Sequence, residues 1–312
     1  PVLEYNRDDG SKIEPKYFLP TIPMILVNGA IGVGTGYSTD IPCFNPIDIV
    51  KNVKRVIRGE KQVEMTPWYN KFKGTITKLE EGRYESKGVW EIDTKNPKRV
   101  TISELPIGKW SDDYREFLEG MRDDKDSYID SVANHNTDED IRMIVMFKDG
   151  YMQKIDICKY LKLTTIINTT NMTLWDENNK IRKYNTPEAI IEAFCDVRKK
   201  YYDKRRTYLT QEYTNLLSKT REKIRFMEYV MNDEIKVFKV SKSKILEQIE
   251  ERNFKPLSGE NYQGYGHLVN IPLVNFSEEK INELKGIEQS HKNELDRLEK
   301  LSPVDLWIND LG

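Results

Sequence analysis

The sequence predicts an α+β protein, in which a mixed α/β body is followed by a long antiparallel coiled-coil stalk with a small helical tip. Three observations predict it. Short runs of alternating character, separated by turn residues, fill residues 73–184. After Pro187 neither proline nor glycine interrupts the chain as far as Met231, room for one helix on the order of 65 Å long. Downstream, Ile281, Leu284, Glu288, His291, Leu295 and Leu298 advance by threes and fours, the heptad spacing of a helix that packs along a partner helix.

The elements follow in order. Asn45-Pro46-Ile-Asp48 reads as a helix start, with a capping side chain, a proline that needs no N–H, and an acid at the positive end of the dipole. Ile47, Val50, Val53 and Ile57 stripe that helix and Gly59 ends it. Residues 74–79, 83–92 and 99–103 read as strands of one antiparallel meander, turned at Glu81-Gly82 and Asn96-Pro97. Ser111 caps a helix carrying Tyr114, Phe117, Leu118 and Met121 on one side. A strand at 141–147 ends at Asp149-Gly150, a helix follows near 153–161, and 171–175 with 180–184 form a hairpin turning at Asn178-Asn179. Thr186-Pro187-Glu188 opens the long helix, whose seam is read as Ile191, Phe194, Arg198, Tyr201, Arg205, Tyr208 and Glu212. Ser241–Asn253 is a helix, 254–275 is irregular, and Ser277 caps the heptad helix. The expected division is 1–58, 59–185, 186–301 with a tip at about 235–276, and 302–312.

Composition narrows the function. With 49 basic and 51 acidic side chains the net charge is −2, so the chain is not basic overall. A local excess at Lys51, Lys54, Arg55, Arg58, Lys61, Lys71 and Lys73 can meet phosphates, and equally can be a solvated helix face. Three separated cysteines and three scattered histidines form no zinc pattern and suit a reducing compartment. No apolar run approaches the roughly 18 residues of a membrane span. The chain opens on Pro1 without a signal pattern, and a piece of a longer soluble polypeptide is the expectation.

One motif carries the function. Asn28-Gly-Ala-Ile-Gly-Val-Gly-Thr-Gly-Tyr-Ser38 packs glycines at 29, 32, 34 and 36 around isolated apolar side chains, Ile31 and Val33. A dinucleotide fingerprint fails because the third glycine position is Tyr37, and a P-loop fails for lack of Lys-Ser/Thr. Two readings remain: a hairpin whose glycines only turn the chain, or a wedge pushed into stacked bases. No nucleophile constellation or metal-ligand pairing is present, and Tyr84, mid-strand, is rejected as a nucleophile.

The wider block Glu14–Ser38, followed by Ile41-Pro42, resembles type IIA DNA topoisomerases of the eukaryotic and viral kind. So do Trp68-Tyr-Asn-Lys-Phe-Lys-Gly-Thr-Ile76, Glu104-Leu-Pro-Ile-Gly-Lys-Trp110 with Tyr114, and Leu163 to Met172. Phe194, Arg198, Tyr201, Tyr202 and Arg205, Leu268–Leu273, and Ser302-Pro-Val-Asp-Leu-Trp307 extend the likeness along most of the chain. Three positions depart from the family pattern: Val33 stands where isoleucine is usual, Ile31 where an acid is frequent, and Val274 where a tryptophan often follows Pro-Leu.

The resemblance implies the distal part of a breakage-reunion core, comprising the end of the DNA gate, the tower, the coiled coil and the exit gate. Val33 is then the residue that intercalates into gate DNA, shaped by Asn28, Gly32, Gly34 and Thr35, with Lys71 and Lys73 as weaker phosphate contacts. Leu268, Ile271, Pro272 and Leu273 form the exit-gate contact between two copies. The nucleophilic tyrosine and the Mg2+ carboxylates lie upstream, so these residues hold no catalytic group, metal or cofactor; Mg2+ and ATP belong to the parent enzyme. Implied partners are double-stranded DNA, a second copy, and upstream catalytic and ATPase domains, without a membrane. The implied setting is intracellular, in the nucleus or a virus-infected (including phage-infected) cell. The competing reading is a non-enzymatic dimeric coiled-coil scaffold that binds DNA.

Overall fold

A computed structural model describes residues 1–16, 18–137, 139–258, 261 and 263–312. The chain divides into two compact units, residues 1–18 with 198–312, and residues 19–197. This cuts across the four-part division expected from sequence, because the first residues join the helical part and 19–58 join the α/β body.

In the helical unit, β1 (Tyr5–Asp8) pairs antiparallel with β2 (Ser11–Pro15). In the α/β unit, α1 (Met24–Asn28) leads into the hairpin β3 (Ala30–Gly34) and β4 (Tyr37–Ile41), then α2 (Pro46–Ile57). Strands β5 (Thr75–Glu80) and β6 (Arg83–Lys87) pair, as do β7 (Val89–Ile92) and β8 (Arg99–Glu104). After α3 (Ser111–Asp123) come β9 (Ile129–Asn134), β10 (Met143–Phe147), α4 (Ile157–Tyr160) and β11 (Thr164–Asn168). A hairpin of β12 (Met172–Trp175) and β13 (Ile181–Tyr184) closes the unit.

The expected meander does not form. Residues 83–92 break at Gly88 into strands of two different sheets, ordered β11-β6-β5 and β7-β8-β10-β9. A Cβ at Gly88 would collide with the Glu104 carbonyl, so only glycine lets the chain pass from one sheet to the other there. Turn chemistry reads locally, whereas the partner of each edge is chosen by sequence-distant strands β10 and β11. Val100, Ile102, Leu118, Met143, Val145, Phe147 and Leu161 fill the core of the four-stranded sheet.

Helix α2 differs from the sequence reading in its buried face. In α2 the Asn45 side chain accepts from Ile47 N–H and Pro46 opens the helix, as expected. Its buried positions, however, are Ile49, Asn52 and Val53, and Ile47 stays exposed. Asn52 is drawn inward because its amide makes a peptide-like pair with Val63, donating to the carbonyl at 2.7 Å and accepting from the N–H at 2.9 Å. Helix α3 starts at Ser111 after Trp110, with no side-chain cap, and α4 is shorter than the sequence suggests.

Helix α5 (Pro187–Met231) has the length read from the sequence, and the boundary between the units falls inside it. Beyond it lie α6 (Lys242–Glu251), α7 (Gly266–Val269), a 3-10 turn at Leu273–Asn275, α8 (Glu278–Lys300) and α9 (Pro303–Asp310). Helix α8 runs antiparallel to α5. Lys285 pairs with Glu228 at 2.9 Å and Arg221 with Glu288 at 2.8 Å. His291 meets the Tyr213 ring edge, and Arg206 donates to the carbonyls of Leu298 and Glu299, which caps the end of α8. Every predicted seam position from Ile281 to Leu298 is buried or half-buried. On α5 the predicted positions Ile191, Phe194, Arg198, Tyr201, Arg205 and Glu212 are likewise buried or half-buried, Tyr208 is exposed, and burial continues beyond them at Leu217, Thr220, Ile224 and Met227.

Candidate nucleic-acid interface

The glycine run is a hairpin, and its glycines divide into two kinds. Gly29 has φ +65° after α1, and a Cβ there would lie 2.7 Å from the Ile41 carbonyl oxygen and 3.0 Å from Cys43 Sγ. Gly36 has φ +92° at the turn. Gly32 and Gly34 have ordinary backbone angles and lie in strand β3, where side chains alternate. They leave one face of β3 bare, and a Cβ at Gly34 would crowd the Tyr37 ring at 3.2 Å. On the other face stand Ile31 and Val33, 86% and 91% exposed, opposite Asp40 and Ser38. Asn28 and Thr35, at the two ends of β3, are exposed as well.

The hairpin is anchored at its base. Asp40 N–H donates to the Asn171 carbonyl at 2.8 Å, the Asn171 amide donates to Ser38 Oγ at 3.0 Å, and Thr173 N–H donates to Thr39 Oγ1 at 3.1 Å. Two apolar side chains are thus held clear of any core on a fixed support. The turn reading and the exposed-wedge geometry coexist in one hairpin.

The two lysines behave differently. Lys73 Nζ meets Asp140 Oδ1 at 2.6 Å, both groups exposed, and that hydrogen bond holds the ammonium pKa above its usual value. Lys71, at φ +63°, makes no ion pair among the described residues and keeps its charge toward solvent. No hydrogen bond among the described residues joins either lysine to the hairpin. Their segment is tied to the chain just after β4 by Trp68 N–H to the Cys43 carbonyl at 2.7 Å.

The tip separates the predicted contact residues. Leu268 is fully buried, packed in a cluster of Phe226, Ile235, Ile249, Phe254 and Tyr265, so it supports the tip from inside and offers no surface. Ile271 is half-buried against that cluster. Pro272 and Leu273 are exposed, and so is Val274 at 83%, the position noted in the sequence as a departure but not named among the gate contacts. The signal was a Pro-Leu-Val run that no heptad or strand pattern claims.

Tyr84 lies buried in β6, where desolvation and the neighbouring Glu64 push its phenol up to about 12. Burial likewise pushes Tyr69 up to about 12. Among the described residues no group of three His, Cys, Asp or Glu side chains can hold a metal ion. No described helix is long and apolar enough to cross a membrane.

A glycine hairpin with a bare face, an α/β body and a long helix hairpin ending in a knob define one class. The chain belongs to the DNA gyrase/topoisomerase IV family, whose A-subunit model matches residues 1–312. Within it, similar proteins include eukaryotic and viral ones. DNA topoisomerase 2 of Arabidopsis thaliana is 34% identical over 99% of this chain and 24% of its own length. The Acanthamoeba polyphaga mimivirus DNA topoisomerase 2 is 32% identical over 99% of this chain and 30% of its own length. The crystal structure of the Plasmodium falciparum topoisomerase II DNA-binding, cleavage and re-ligation domain matches with a TM-score of 0.90 and 32% identity, covering 100% of this chain and 46% of that one. The chain thus corresponds to part of a type II topoisomerase breakage-reunion core, and spans a quarter to a third of these full-length relatives.

Proposed function

We propose that this chain binds and bends the gate duplex, and holds two copies together at the exit gate, within an ATP-dependent type II topoisomerase that passes one duplex through another. The single observation that carries this reading is the anchored hairpin with Ile31 and Val33 held in solvent on a glycine scaffold. Val33 wedges between base pairs. Asn28, Thr35 and the backbone of Gly32 and Gly34 shape its approach, and Lys71 supplies a phosphate contact. Lys73 contributes less, because Asp140 already matches its charge. Unstacking a step costs a few kcal/mol, offset by the extra protein surface a bent duplex reaches.

At the tip, Pro272, Leu273 and Val274 meet the same residues of a second copy, with Ile271 and Leu268 setting their backing. The nucleophilic tyrosine, the Mg2+ site and the ATPase belong to other parts of the enzyme, which works inside the cell. The test is Val33→Ala in the complete enzyme that carries this chain. Loss of two methyl groups removes roughly 1.6 kcal/mol of apolar contact, so bending, read by fluorescence transfer between duplex ends, should require about ten-fold more protein. Unchanged bending refutes the wedge.

A further inference from the structure

We infer that Ile31 is a second DNA-contacting residue, and that it makes the enzyme prefer A·T pairs beside the wedge step. The inference rests on the hairpin reading above and adds a specificity to it. Ile31 and Val33 are two positions apart in β3, so their side chains leave the same face. At about 3.4 Å per residue they stand roughly 7 Å apart along the strand, on the order of two base-pair rises. Both are almost fully exposed, and Gly32 and Gly34 face the other side of the strand. Both apolar groups therefore reach a duplex that the hairpin approaches face-on.

The cross-strand neighbours make Ile31 the apolar part of its surroundings. Asp40 lies opposite Ile31 in the ladder and is itself exposed. Its carboxylate offers nothing attractive to phosphates, and Ile31 is the group on that rung suited to an apolar surface. A wedge bends DNA by opening the minor groove. The floor of that groove presents only acceptors at A·T pairs, whereas G·C pairs add the guanine N2 amino donor. An isoleucine laid on the floor next to the wedge covers that amino group and gives it no acceptor, which penalises G·C. Ile31 thus discriminates by leaving a donor unpaired, with no hydrogen bond of its own.

The test uses the complete enzyme and three gate duplexes differing at the pairs within two steps of the bend: A·T, G·C, and inosine·C, which lacks the N2 amino group. The wild type should bend the A·T and inosine·C duplexes at about five-fold lower protein concentration than the G·C duplex. Ile31→Ala should bring that ratio close to one, and Ile31→Val should keep it. Val33→Ala should weaken bending of all three duplexes alike. If Ile31→Ala keeps the wild-type ratio while Val33→Ala weakens bending, the Ile31 assignment is overturned and the wedge stands. If neither substitution changes bending, the hairpin reading fails and this inference with it. Both side chains are exposed, so the melting midpoint should not move in any variant and a folding defect is excluded directly.

Discussion

Truncating Leu268 and truncating Leu273 should have opposite effects, although the two lie in one short segment. Leu268 is 0% exposed within the tip cluster, against Phe226, Ile249 and Phe254. Leu268→Ala removes three carbons from a packed site and leaves a cavity, a change that costs about 3 kcal/mol or more. For a unit of this size the melting midpoint should fall on the order of 10 °C. Leu273 is 65% exposed, so its truncation removes little contact within the protomer and should cost under about 0.5 kcal/mol. Its effect should fall on association, and more so together with Val274→Ala. The assay pairs thermal unfolding with sedimentation velocity across a concentration series. Leu268→Ala should lower the midpoint, while Leu273→Ala should keep the midpoint and shift the monomer–dimer balance toward monomer. A Leu268→Ala protein that melts like the wild type yet fails to associate would refute the assignment of Leu268 to the core.

Three further outcomes are expected. Gly88→Ala should destabilise the α/β unit by about 2 kcal/mol or more, because the added Cβ meets the Glu104 backbone; an unchanged urea midpoint rejects that account. Cys195, pushed up to about 12 by burial and then by Asp196 and Glu192, should resist a thiol reagent at pH 8 in the folded protein and react in denaturant, whereas fast native labelling would contradict its burial. Tyr84 should stay protonated until about pH 12 in the folded chain, against 10.0 for a free phenol. The unfolded phenol ionises first, so its contribution to stability is full below pH 10 and declines as pH rises from 10 to 12; absorbance at about 295 nm follows it.

Local signals in the sequence carried further than long-range ones. Asn45-Pro46, Gly82, Asn179 and Ser277 act where they were read, because a cap or turn is decided by a few consecutive residues, whereas Ser111 makes no cap. The α8 seam was legible for the same reason. Its apolar residues recur on one face, and the α5 seam, read in mixed polar and aromatic residues, holds at every position but Tyr208. The split at Gly88 was not legible, since the reason is a carbonyl sixteen residues further along the chain.

At the candidate site the division is sharper. Glycine spacing marked residues 28–36 and named Ile31 and Val33, but only the ladder register places both on one face with the glycines on the other. Leu268 and Leu273 are both leucines in an irregular run, and nothing in the run itself tells the buried one from the exposed one. The sequence by itself determined the α+β class, the length of α5, the caps of α2 and α8, the glycine hairpin and the family. Tertiary structure decided which strand pairs with which, which face of α2 is buried, and which tip residues are left for a second copy. The physical reason is range. Capping, turns and periodicity are energies between near neighbours along the chain, whereas burial depends on which distant segment arrives to exclude the water.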